Sequence, residues 1–203
     1  MAINFSIQAN VVDITVDVPK ALDVFLVDTN VWYWMTYSNA SSFVPSQLSD
    51  YPGYINKALG QNSKIHHSGL SLAELSHLIE KTEREIYERT VGNIKTKEYR
   101  HNISTERSRV TSEIKSVWGQ VTSLADPLTV SIDALTASAA LTRIQSEKVD
   151  GYDLFILESM KNHGVVQVIT DDGDFSTVPG IHVFTANRNV ISAARLQGKL
   201  IVR

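Results

Sequence analysis

The constraint that most limits this fold is a pair of short apolar runs that each lead the chain directly into carboxylates. Val24-Phe25-Leu26-Val27 runs into Asp28-Thr29-Asn30, and Val165-Val166-Gln167-Val168-Ile169 runs into Thr170-Asp171-Asp172-Gly173-Asp174. Short, nearly continuous apolar runs are the mark of strands covered on both faces, as in a parallel sheet. Parallel strands need crossovers long enough to hold helices. An ordinary strand ends in turn residues such as Gly, Pro, Asn or Ser. An acid there either caps the element that follows or does chemistry.

The rest of the chain supplies the crossovers. Leu72, Leu75, Leu78, Ile79 and Ile86 recur at helical spacing from Ser71 onward. A second helix is predicted over 103 to 121, on Ile103, Val110, Ile114, Val117 and Trp118. Leu135–Ile144 and Leu154–Met160 read as helices, Ile181–Phe184 as a strand, and 189–197 as a last short helix. Residues 3 to 18 alternate apolar and polar (Ile3, Phe5, Ile7, Val12, Ile14, Val16, Val18), which predicts a half-buried strand or hairpin ended by Pro19. Residues 38 to 63 are rich in Ser, Asn, Pro and Gly and read as loop with room for one short helix. Strands alternating with helices give an α/β fold: three α/β/α layers around a central, mainly parallel sheet.

Composition narrows the class. With 203 residues, 43% hydrophobic and 20% charged, the chain suits one domain with a real core, spanning 1–203. A net charge of −3 excludes a uniformly basic nucleic-acid wrapper, though not a local basic patch. The absence of cysteine excludes disulfides and thiolate metal sites. The start, MAINFSIQANVVDITVDV, has neither a basic n-region nor a long apolar run, so neither a signal peptide nor a membrane span is expected. The expectation is a soluble, cytoplasmic protein.

In open α/β sheets the ligand crevice lies beyond the carboxyl ends of the strands. Asp28 and the Asp171-Asp172-Asp174 group would share that edge. Glu74 in SLAELSHL and Asp153 in DGYDLFILE begin helices, which start at the same edge. Gathered carboxylates repel one another unless a cation sits among them. Oxygen-only ligands point to a hard ion, Mg²⁺ or Mn²⁺, which binds phosphate oxygens and activates water. Phosphodiester hydrolysis is the chemistry implied.

The ordered motifs Asp28-Thr29-Asn30, Ser71-Leu72-Ala73-Glu74-Leu75, Asp150-Gly151-Tyr152-Asp153 and Ile169-Thr170-Asp171-Asp172-Gly173-Asp174-Phe175 resemble the PIN domain family, which includes VapC-type toxin ribonucleases. The most specific part is VITDDGDFSTVPGIHVFT. The resemblance covers residues 22 to 86 and 128 to 185. It implies an RNA-cleaving enzyme in which Asp28, Glu74, Asp153 and Asp172 bind metal and act in catalysis, with Asp174 as an auxiliary metal-binding acid and Asn30 and Thr170 as hydrogen-bonding supports. It also implies a homodimer and an antitoxin or other protein partner. The chain departs from compact members in an extra N-terminal strand region (1–20), a helical insert (87–127), and bulky Tyr152, Leu154 and Phe155 around the third acid.

Each motif also has a plainer reading. Ser71-x-x-Glu74 is a capping box by spacing. Asp153 and Asp150 both suit the start of a helix. Asp28 is a candidate N-cap, and Asp171-Asp172-Gly173-Asp174 a candidate polar turn. Trp32, Tyr33 and Trp34 suit a core more than a base-stacking platform. His66-His67 reads as a solvated loop. Residues 84 to 115 carry Arg84, Arg89, Lys95, Lys97, Arg100, Arg107, Arg109 and Lys115 against five Glu, which suits either a salt-bridged helical hairpin or a phosphate-binding surface. In a competing class the chain is a binding or scaffold module with little turnover. A haloacid-dehalogenase-type phosphatase is excluded because Asp28-Thr29-Asn30-Val31-Trp32 lacks the Asp-x-Asp-x-Thr start.

Overall fold

The computed structural model describes residues 4–42 and 44–203. Seven strands form one sheet among the described residues: β1 (Asn10–Asp13), β2 (Val24–Val27), β3 (Lys64–Ser68), β4 (Asp126–Leu128), β5 (Gln167–Ile169), β6 (His182–Thr185) and β7 (Leu200–Ile201). Their order across the sheet is β4-β3-β2-β5-β6-β1-β7, and every pairing is parallel. From β2 the chain steps outward through β3 to β4, then returns to place β5 on the other side of β2. The order therefore reverses between β2 and β5, and a crevice opens at their carboxyl ends.

The helices are α1 (Thr29–Thr36), α2 (Gln47–Gly60), α3 (Ser71–Val91), α4 (Thr96–Asn102), α5 (Ser104–Leu124), α6 (Ala134–Ile144), α7 (Asp153–Asn162) and α8 (Arg188–Leu196). Side chains alternate across each strand and feed two separate cores. Phe25, Val27, Ile169 and Phe184 face α1, α2, α3 and α5, packing with Trp32, Tyr51, Tyr54, Ile55, Leu75, Ile79 and Val117. Leu26, Val168 and Val183 face the opposite way, against Ala140, Leu154, Leu157 and Met160 of α6 and α7. Val11 meets Val190, Ile191 and Ala194 of α8. The result is the three-layer α/β/α fold expected.

Several local expectations are corrected. Of the residues 3 to 18 expected as a strand or hairpin, Ile3 lies outside the described residues and only Asn10–Asp13 is strand. It pairs in parallel with β6 and β7, which rules out a hairpin. The stretch from 38 to 63, read as loop with room for one short helix, carries the 14-residue helix α2. Its buried residues, Tyr51, Tyr54, Ile55 and Ala58, follow helical spacing, and Pro52 and two glycines obscured it. His66 and His67 lie in β3 rather than in a solvated loop. His67 is 3% exposed and packs edge-on against Trp118, with ring centroids 4.9 Å apart. The N-terminal region places β1 between β6 and β7, and the stretch from 87 to 127 contributes Val117 and Val121 to the first core.

Candidate active site

Asp28 leaves β2 at the reversal point and is 7% exposed. Its Oδ1 accepts the Thr29 N–H at 2.6 Å, so it caps α1. Its Oδ2 accepts the Thr170 hydroxyl at 2.7 Å. Thr170, at the end of β5, also accepts the Asp172 N–H at 2.9 Å, and Asp172 Oδ1 takes the Asp174 N–H at 2.8 Å. Asp172 thereby caps a short 3-10 helix, Gly173–Thr177. The cap reading holds for Asp28, and Asp172, read as part of a polar turn, is a cap as well; both still face the crevice.

Glu74 does not form the expected capping box. Leu70 occupies the N-cap position of α3, and the Ser71 hydroxyl is buried with no partner among the described residues. The helix begins one residue earlier than the box requires. Glu74 Oε2 instead accepts the Thr29 hydroxyl. Asp153 opens α7, where Tyr152 is the N-cap and gives no side-chain cap.

Asp28, Glu74, Asp153, Asp172 and Asn30 line one cavity of about 750 Å³, together with Thr29, His77, Glu80, Arg100, Arg107, Asp150 and Tyr152. Thr170 stands behind Asp28. Asp174 is outside the cavity lining but within electrostatic reach of Asp172 and Asp150. Asp171 turns away and accepts hydrogen bonds from Gln47 and from the Tyr51 hydroxyl, the latter at 2.6 Å. Trp32 and Tyr33 are core, as expected, while Trp34 stacks near Tyr51 with centroids 5.4 Å apart.

The crowding shows in the acid–base behaviour. Burial pushes the Asp28 carboxyl up to about 7; the charges of Asp172 and Glu74 add to the rise, and hydrogen bonds from Thr170 and Thr29 oppose it. Burial pushes Asp153 up to about 9, helped by the charges of Asp28, Asp172, Glu74 and Asp150. Glu74 and Asp174 are also raised, first by burial and then by Asp172. A bound cation would relieve this repulsion, and the oxygen-only donor set suits a hard divalent ion. Each carboxylate oxygen that accepts one hydrogen bond keeps a second lone pair for such an ion. Among the described residues, no three Asp, Glu or His side chains already form a shell for one ion.

Sequence reasoning missed Asp150, Thr29 and the two arginines as parts of this cavity. Asp150 precedes Asp153 by one helical step, and Thr29 follows Asp28 directly; both were legible. Arg100 and Arg107 were visible only as members of a mildly basic stretch.

A family model described as PIN domain matches residues 25–181. No curated protein matches. Among solved structures, VapBC2 from Rickettsia felis, bound to a DNA fragment from their promoter, aligns at 14% identity and a TM-score of 0.49, over 80% of this chain and 98% of that one. PAE2754 from Pyrobaculum aerophilum aligns at 15% identity and a TM-score of 0.44, over 90% and 96%.

Proposed function

This chain belongs to the PIN domain family, whose members are generally nucleases that use divalent ions, and from that premise we propose that it is a Mg²⁺- or Mn²⁺-dependent endoribonuclease hydrolysing RNA phosphodiester bonds. The observation that carries this reading is the convergence of Asp28, Glu74, Asp153 and Asp172 on one open cavity beside the β2–β5 reversal. These four would hold the ion, with Asp174 as an auxiliary acid. When bound, the ion would neutralise charge on the phosphate and make water more acidic. Thr29 and Thr170 fix the Asp28 and Glu74 carboxylates, which orient and deprotonate the attacking water. Asn30 supports from the first turn of α1.

The sequence likeness to VapC-type toxins extends the proposal to a cytoplasmic toxin held silent by an antitoxin. No helix among the described residues is long and apolar enough to cross a membrane. The homodimer belongs to the same proposal. Helix α1 buries Val31, Trp32 and Tyr33 within its own chain, whereas α6 leaves Leu135, Leu141 and Ile144 exposed. A monomeric mass in solution would count against that part.

The test is cleavage of a mixed single-stranded RNA pool with Mn²⁺ or Mg²⁺, wild type beside Asp28→Asn, with a chelator control. Cutting that requires both the ion and Asp28 supports the reading; cutting by Asp28→Asn at the wild-type rate removes Asp28 from the mechanism. The competing reading, a binding or scaffold module with little turnover, predicts a different result. Binding of Mn²⁺ without cleavage of any nucleic acid would select it.

A further inference from the structure

The cavity that holds the acids has a second wall that the hydrolytic chemistry leaves unexplained. Six carboxylates line it: Asp28, Glu74, Glu80, Asp150, Asp153 and Asp172. A polyanionic strand would be repelled by such a surface, and one ion among four acids does not reverse that at the cavity rim. The lysines and arginines among the lining residues are Arg100 of α4 and Arg107 of α5.

Their hydrogen bonding is unequal. Arg100 is committed to buried Glu80: Nε lies 3.0 and 2.9 Å from Oε1 and Oε2, and Nη2 lies 2.5 Å from Oε1. Arg107 reaches Glu80 through one Nη1 contact at 3.4 Å, and its side chain is 49% exposed. A guanidinium has five N–H donors. Arg107 thus keeps most of its donors uncommitted among the described residues while lining the cavity. Tyr152, between Asp150 and Asp153 in sequence, lines the same cavity and is 47% exposed. It is a large aromatic that folding has left half exposed in a cavity lined mostly by polar side chains.

We propose that Arg107, beside Glu80, receives a backbone phosphate of single-stranded RNA, and that Tyr152 in the same cavity lining stacks a base of the same strand. This rests on the nuclease reading for the identity of the ligand, and assigns the strand's path across the site. A duplex would not satisfy it, because paired bases are not available to stack on an edge aromatic. Arginine suits the phosphate through its bidentate fork, which lysine lacks.

The experiment measures binding of a labelled single-stranded RNA to the full chain in chelator, as a function of salt, with cleavage in Mn²⁺ recorded in parallel. The variants are Arg107→Gln, Arg107→Lys, Tyr152→Ala and Tyr152→Phe. Circular dichroism and thermal melting establish that each is folded, as expected for two exposed side chains. Arg107→Gln should weaken binding about tenfold and lower the salt slope by about 0.7, because one phosphate is no longer neutralised. Arg107→Lys should recover only part of the affinity. Tyr152→Ala should weaken binding about tenfold with the slope unchanged, and Tyr152→Phe should bind as wild type.

If the wild type cleaves RNA while all four variants bind and cleave equally well, the strand path is overturned and the nuclease reading stands. If the variants weaken binding as stated but the wild type never cleaves, the strand path stands and the nuclease reading falls. If the wild type neither binds nor cleaves single-stranded RNA, both fall. Equal affinity for duplex RNA overturns the stacking role of Tyr152. Equal affinity for single-stranded DNA overturns the assignment to RNA.

Discussion

The Thr170 hydroxyl donates to Asp28 Oδ2 at 2.7 Å across the junction of β2 and β5, and Thr170 is fully buried there. The hydroxyl oxygen in turn accepts the Asp172 N–H. One hydroxyl therefore ties together the first acid, the last acid and the two strands whose reversal makes the crevice.

Thr170→Val tests that tie with almost no change of shape. It removes a hydrogen bond that opposes the rise in the Asp28 pKa, and leaves the Asp172 N–H without its acceptor. Asp28 should then hold its proton to higher pH, and the proposed cleavage should lose rate most at neutral pH, less in alkaline buffer. Stability should fall by about 1–2 kcal/mol in urea denaturation. A pH–rate profile identical to that of the wild type would show that Thr170 does not tune Asp28.

The raised acids set how stability follows pH in the ion-free protein. Asp28 and Asp153 take up protons in the folded state near 7 and 9, against an ordinary value of 3.8. Between these limits the folded state binds more protons than the unfolded one, so stability declines as pH rises from about 4 to 9. Melting temperature in chelator should accordingly be higher at pH 5 than at pH 8, and Mg²⁺ or Mn²⁺ should recover much of the difference at pH 8. Asp153→Asn should raise the melting temperature at pH 8 while removing the proposed cleavage, because the amide is neutral without the proton that Asp153 must take up on folding at that pH. A melting temperature flat from pH 5 to 8 in chelator would contradict the crowding.

The legibility of this molecule follows the range of the forces involved. Val24–Val27 and Val165–Ile169 announced central strands because strands buried on both faces leave an unbroken apolar record. The order of the acids at their ends was readable for the same reason. β4 and β7 were not anticipated: Asp126-Pro127-Leu128 and Leu200-Ile201 are strands only because β3 and β1 offer them an edge. His67 reads as polar in sequence, yet the sheet buries it against Trp118, a packing that brings together two elements far apart along the chain. Glu74 shows the limit of a local motif. Ser71-x-x-Glu74 had the right spacing, but the hydroxyl of Thr29, distant in sequence, donates to the carboxylate that the cap would have used.

Glu80 and Arg100 make a second measurable pair. Glu80 is buried on α3, and Arg100 holds both of its oxygens while remaining 40% exposed itself. Arg100→Gln leaves the carboxylate with the 3.4 Å contact to Arg107. The expected cost is about 1–2 kcal/mol, reduced from that of a fully buried pair because water reaches the arginine side. Adding Glu80→Gln should return most of it, since the uncompensated charge is then gone. Additive losses in this double-mutant cycle would mean the two side chains are energetically independent.

A larger loss is expected at Arg203, which binds two acids beside Phe184 and Tyr54. Its guanidinium binds Asp17 through Nε at 3.1 Å and Nη2 at 2.8 Å, and Asp23 through Nη1 at 2.7 Å and Nη2 at 2.9 Å. It also lies 4.6 Å from the centre of the Phe184 ring in β6. Tyr54 of α2 donates to the same Asp17 at 2.5 Å. One arginine thus joins the turn after β1, the entry to β2, the core-facing side of β6 and helix α2. Burial alone would raise the Asp23 carboxyl, but hydrogen bonds from Arg203, the Lys20 N–H and Gln167 outweigh it and leave Asp23 below its ordinary value. A lowered acid stabilises above its unfolded pKa and loses that contribution as pH falls through the folded value, so this cluster weakens below about pH 4. Arg203→Ala strands two nearly buried carboxylates, and should cost about 3–5 kcal/mol at pH 7. The loss should shrink toward pH 3, as falling pH approaches the lowered folded value of Asp23 and its paired charge begins to be lost. Urea denaturation of wild type and Arg203→Ala at the two pH values decides it: a penalty that stays constant across them would assign the effect to packing on Phe184 rather than to the paired charges.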